Sequence, residues 1–111
     1  MNRDLKFRFW DIETKSMIFA TLEHLIDGGY YISKDSITMQ YTGLQDKTKD
    51  KQDIYEGDIL QTKDGIMIVE YNYDRFECID SNDNNFRLYD YIYFGFTKVI
   101  GNIYENQDLI K

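Results

Sequence analysis

The sequence predicts a mainly β fold: a small antiparallel sheet or partly open barrel, with at most one short helix. Three observations predict it. Short runs rich in Ile, Tyr, Phe and Val alternate apolar with polar residues, the period of a strand with one buried face. Clusters of Gly, Asn and Asp separate those runs at close intervals, and in a chain with seven glycines and no proline they must make the turns. A chain of 111 residues that is 42% hydrophobic and 16% aromatic can bury the one core such a fold requires. A single domain over residues 1–111 is therefore expected.

Lys6–Trp10 opens the fold as a strand, with Phe7 and Phe9 on one face and Lys6, Arg8 and Trp10 on the other. Thr21–Ile26 fits one or two helical turns, Leu22, Leu25 and Ile26 sharing a side and Gly28-Gly29 ending it. Tyr30–Ser33 and Ile37–Tyr41 read as further strands. Residues 45–53 are wholly polar with charges of both signs, so an exposed, mobile loop with no anchor in the core is expected there. Asp58–Lys63 and Ile66–Tyr73 flank Asp64-Gly65, the strongest hairpin signal in the chain, and Arg75–Ile79 extends that meander. Ser81–Asn85 is a loop by composition, Phe86–Phe96 and Lys98–Tyr104 are the last expected strands, and Gln107–Lys111 is a tail. Antiparallel meanders of this size often close into small barrels, which removes their free edges.

Charge and composition narrow the function classes. The net charge is −7, and all of that excess falls in residues 53–111, because acids and bases balance over residues 1–52. A field of that sign opposes the counterion release that drives duplex binding, so direct nucleic-acid binding is not expected. No stretch approaches the roughly 18 apolar residues of a membrane helix, and Met1–Lys6 has no apolar segment behind it like that of a signal peptide. The single cysteine, Cys78, excludes an internal disulfide and suits a reducing cytoplasm. A soluble cytoplasmic protein is expected.

The densest local motif is Ile54-Tyr55-Glu56-Gly57-Asp58-Ile59. Its structural reading is a tight turn with Gly57 at positive φ and Asp58 bonding nearby backbone N–H groups. A Gly-Asp pair often opens the first long strand of small SH3-like barrels, in line with that reading. Its functional reading makes Glu56 and Asp58 a carboxylate pair for acid–base or metal chemistry. Asp80–Asn85 imitates the first half of a calcium loop, but the required sixth-place Gly and twelfth-place Glu are Asn85 and Tyr91, so a polar turn is expected instead. His24 and Cys78 are the only residues of their types, and nothing in their spacing brings them together as base and nucleophile. No catalytic residue, metal ligand or cofactor follows from these patterns.

As a strand, Phe86–Phe96 would place Tyr89, Tyr91 and Tyr93 on one face and Leu88, Ile92 and Phe94 on the other. Such a strand needs two neighbours, one of them a core. Tyrosine suits packing within the chain and suits a protein interface, while only Arg87 and Lys98 stand ready to attend the phosphates of a stacked nucleic acid.

Three blocks taken together resemble the YopX family: Lys6–Asp11; Met39–Leu44 with Tyr55–Ile59; and Ile100–Asn106. The residues carrying the likeness include Trp10, Asp11, Tyr41, Gly43, Tyr55, Glu56, Gly57, Asp58, Gly101 and Asn102. Where the family usually has an Asn-Gly or similar turn before the Ile-Tyr-Glu-Gly-Asp block, this chain has Lys49-Asp50-Lys51-Gln52-Asp53. The resemblance implies a mainly β domain with an SH3-like barrel element, a phage or prophage origin, and no catalytic residue. The expected function is that of a non-enzymatic accessory protein acting through protein contacts or as a homo-oligomer on a host or phage protein. The alternative is a regulator in phage nucleic-acid metabolism that acts through a basic host protein.

Overall fold

The computed structural model describes residues 5–21 and 35–110. Residues 22–26 of the expected helix, the Gly28-Gly29 terminator, the expected strand Tyr30–Ser33 and His24 lie outside the described residues.

The described residues form two antiparallel sheets. Strands β1 (Lys6–Asp11), β2 (Ser16–Thr21), β3 (Ile37–Gln45) and β4 (Asp53–Tyr55) pair in the order β2-β1-β3-β4. Strands β5 (Asp58–Thr62), β6 (Gly65–Asn72), β7 (Arg75–Ile79), β8 (Asn85–Arg87) and β9 (Thr97–Asn102) pair in the order β8-β7-β6-β5-β9, a sheet that curls as a half-barrel. Between β8 and β9 the chain forms a short helix, α1 (Leu88–Phe94), and a 3-10 turn, Gln107–Ile110, follows β9. The expected mainly β class is what the chain adopts, and the described residues contain one short α-helix. The hairpin expected at Asp64-Gly65 joins β5 to β6, with Thr62 directly opposite Gly65. Strand β7 has the expected bounds.

The main core fills the half-barrel. Ile54, Leu60, Met67, Val69, Cys78, Leu88 and Ile92 are buried together, with Leu44, Phe76, Phe86, Tyr91 and Val99 packed against them. Helix α1 closes this barrel by inserting Leu88 and Ile92, which lie one turn apart on its inner side.

Three expectations are corrected. Thr21 ends β2, a strand that the polar β1–β2 turn and the mixed run Ser16–Thr21 did not announce. Phe86–Phe96 is not a strand: it breaks into β8 and α1, because Leu88 and Ile92 fill the barrel mouth from a helix. The polar segment 45–53 is exposed over most of its length, as expected, but it does have an anchor. Asp46 is buried, and its carboxylate accepts hydrogen bonds from Thr48 N (3.2 Å), Thr48 Oγ1 (2.7 Å), Gln52 N (3.0 Å) and Val99 N (3.0 Å). Lys47 N also donates to Thr97 O at 2.9 Å, so the segment sheathes the outer edge of β9. Burial alone would raise the Asp46 carboxyl, but its bonds to Thr48, Val99 and Gln52 outweigh that and hold it below the usual range.

Candidate functional site

The turn Tyr55–Asp58 is the place where the two sheets are tied together. Gly57 has φ +83, the left-handed conformation expected of it, and a Cβ there would meet Met39 Sδ at 3.1 Å. Gly57 N donates to Val69 O and Gly57 O accepts from Ile103 N, both at 2.9 Å, while Glu56 N donates to Gln40 O at 3.0 Å. Asp58 Oδ2 accepts from Tyr55 N at 2.7 Å, the expected cap of the turn. Its other oxygen pairs with Arg8 Nη2 at 2.8 Å, and the same nitrogen donates to Glu56 O at 2.9 Å. Arg8 also lies over the Tyr55 ring, 4.9 Å from its centroid.

The two acids of this motif do not form a carboxylate pair. Glu56 Oε1 accepts from Gln40 N at 2.9 Å on β3, whereas Asp58 faces inward to Arg8. Burial pushes the Asp58 carboxyl up to about 6, against the opposing pull of Arg8. The alternation of Lys6–Trp10 gave no sign that Arg8 would be buried; its partner of opposite charge, four strands later in sequence, is the signal that only the fold supplies.

The other motif residues also make structure. Trp10 stacks on Tyr104, ring centroids 5.7 Å apart. Asp11 caps the β1–β2 turn, accepting from Glu13 N at 3.0 Å and Thr14 N at 3.3 Å. Tyr41 is buried against Tyr55, and Gly43 lies within the irregular stretch of β3–β4 pairing between Tyr41 and Gln45. Asn102 Oδ1 gathers Tyr104 N and Glu105 N, and Asn106 Oδ1 accepts from Asn102 N at 3.1 Å. A Cβ on Gly101 would fall 2.5 Å from that Asn106 oxygen, so this turn admits only glycine there without rearrangement.

The candidate chemical groups are placed as follows. Asp80 Oδ1 accepts from Asn82 N and Asn84 N, both at 2.9 Å, so the Asp80–Asn85 loop is a polar turn closed on itself. Among the described residues no group of three or more His, Cys, Asp or Glu is placed to hold a metal ion. Cys78 is fully buried, and burial pushes its thiol up to about 12, which leaves it protonated. No helix among the described residues is long and apolar enough to cross a membrane.

The tyrosine-rich segment is where side chains remain unused. Because it is helical, the expected shared face of Tyr89, Tyr91 and Tyr93 does not exist. Tyr91 turns toward the protein, its ring against Phe86 and its hydroxyl donating to Asp64 Oδ2 at 2.7 Å. That bond to Asp64 is the main reason its phenol is pushed up to about 12. Tyr89 and Tyr93, one turn apart, stack with centroids 5.9 Å apart, and Phe94 meets Tyr93 edge-on at 4.8 Å. These three residues are 53%, 64% and 73% exposed, on a helix anchored by buried Leu88 and Ile92. Beside them lies a groove of about 280 Å³ walled by Tyr71, Phe76 and Tyr89 and edged by Asp74, Arg75 and Arg87. Phe94, which strand alternation placed on one face with Leu88 and Ile92, is thus the most exposed member of the cluster.

Comparison with protein families matches residues 23–111 to the family model described as YopX protein. The matched span includes the Met39–Leu44, Tyr55–Ile59 and Ile100–Asn106 blocks and leaves Lys6–Asp11 outside it. No curated protein matches the chain.

Proposed function

The chain belongs to the YopX family, and from that premise we propose that it is a non-enzymatic accessory protein that docks a protein onto the outer face of α1. The carrying observation is the cluster of Tyr89, Tyr93 and Phe94, already stacked in the free chain and more than half exposed. Rings held in place before binding lose little conformational freedom on contact, which is why aromatic anchors dominate protein interfaces. The carboxylates of the signature turn are taken up by Gln40, Tyr55 and Arg8, which supports a binding role over an enzymatic one. On this reading the protein serves a phage or prophage in the bacterial cytoplasm.

A second reading, a regulator of phage nucleic-acid metabolism, rests on the charge. The −7 excess of residues 53–111 favours a basic host protein as partner, and such an association would weaken steeply with salt.

A photo-crosslinking amino acid at position 93 tests the docking face in bacterial cells that produce the full chain. Protein adducts are expected there and not from position 12, an exposed residue of the β1–β2 turn. Absence of adducts at 93, or equal yields at both positions, would overturn the proposal.

A further inference from the structure

The aromatic face of α1 is flanked by two opposite charges that have no partner. Arg87 precedes the helix and Asp90 lies in its first turn. Among the described residues neither side chain makes a hydrogen bond or an ion pair. For Arg87 this has a specific cause. Its cross-strand neighbour in the β7–β8 register is Glu77, which would ordinarily pair with it. The Glu77 carboxylate is instead filled by Arg75 at 2.7 and 2.8 Å, with Asn72 and Asn85 each donating at 3.1 Å. Arg87 is left at the edge of the aromatic groove, which Asp74 and Arg75 also line, in the half of the chain that carries the acidic excess.

A surface that carries an aromatic cluster, a groove, a free cation and a free anion holds its own complement, as a two-fold interface requires. Resting on the docking role proposed above, we propose that the occupant of this face is a second copy of the chain. The two α1 helices run antiparallel about an axis beside Leu88 and Tyr89, so that Arg87 of each protomer pairs with the partner's Asp90. The same placement carries Tyr93 and Phe94 past the start of the opposite helix, over the groove walled by Tyr71, Phe76 and Tyr89. Three rings at these exposures offer roughly 300–450 Å² per protomer. A standard interface buries about 800 Å² per partner, so the rings supply about half and the groove walls must supply the rest. Obligate dimers bury about 2,000 Å² or more in total, so this area suits a reversible dimer.

Sedimentation of the purified chain, at up to about 100 µM, tests this with charge reversal. The wild type is expected to dimerise, and Arg87→Glu and Asp90→Lys are each expected to weaken the dimer at least about tenfold. An equimolar mixture of the two variants should recover wild-type affinity, because each mixed dimer carries both attractive pairs. A monomeric wild type would overturn the proposal, as would reversals without effect or a mixture that stays monomeric while both variants keep the native circular dichroism. Should a reversal impair folding, Arg87→Gln and Asp90→Asn must each weaken the dimer; an unchanged dimer in both overturns it. A monomeric wild type that nevertheless crosslinks another protein from position 93 would sink the dimer and leave the docking role intact.

Discussion

Arg8 of β1 and Asp58 of β5 pair at 2.8 Å across the seam between the two sheets, and both side chains are buried. The guanidinium also serves the Glu56 carbonyl and the Tyr55 ring, so one residue of the first sheet holds the whole turn that opens the second. A buried pair of this kind repays its desolvation only through good geometry, but losing one member leaves a charge stranded.

Replacing Arg8 by Met is therefore expected to destabilise the protein by about 3–5 kcal/mol, as for other buried pairs broken on one side. Urea denaturation measures it. A loss below about 1 kcal/mol would mean that the pair does not join the sheets energetically.

Asp58 should also set a pH dependence. Its folded carboxyl is raised from 3.8 to about 6, mainly by burial. Between those values the folded chain holds a proton that the unfolded chain has released, so this residue's contribution falls as pH rises from about 4 to about 6. A shift of that size is worth about 3 kcal/mol. Asp46 and Asp53 act in the opposite sense, being lowered, and lose stabilisation as pH falls below about 4. Carboxyl-carbon NMR is expected to give a midpoint near 6 for Asp58, and Asp58→Asn should remove the slope between pH 4 and 6. A midpoint at or below 4 would refute the assignment.

Gly57→Ala should cost about 1–3 kcal/mol, since a side chain at φ +83 is strained and its Cβ would crowd Met39. An unchanged melting midpoint would show that the turn relaxes freely.

Asp46→Ala should free the segment that covers β9. The change removes the acceptor of four hydrogen bonds from a buried site and is expected to cost about 1–3 kcal/mol. Trypsin should then cut first at Lys47, Lys49 or Lys51, sites that resist in the wild type. Equal cleavage of both proteins at these lysines would show that the bonds do not restrain the segment.

Tyr91 and Tyr93 should separate folding from association. Tyr91→Phe removes the hydroxyl bonded to Asp64 and is expected to cost about 1 kcal/mol without changing sedimentation. Tyr93→Ala should leave the melting midpoint nearly unchanged and abolish association, because that ring is 64% exposed. The reverse pattern would place the contact elsewhere.

Local chemistry alone determined much of this protein. Alternation marked β1, Asp64-Gly65 marked the hairpin whose meander β7 extends, and the order Glu56-Gly57-Asp58 demanded a turn with a left-handed glycine and a carboxylate cap. Those features are legible because each depends on residues within a few positions of one another. Segment 86–96 was not legible for a definite reason: Leu88 and Ile92, four apart, share a face in a strand and in a helix alike. Only the open mouth of the half-barrel, which needs a plug of two side chains, decides for the helix and turns Tyr91 inward while leaving Tyr89, Tyr93 and Phe94 outside. The same holds for Asp46 and Arg8. A charge reads as solvated until partners from distant strands surround it, and Val99 N for one and Asp58 for the other are brought there by the tertiary structure alone.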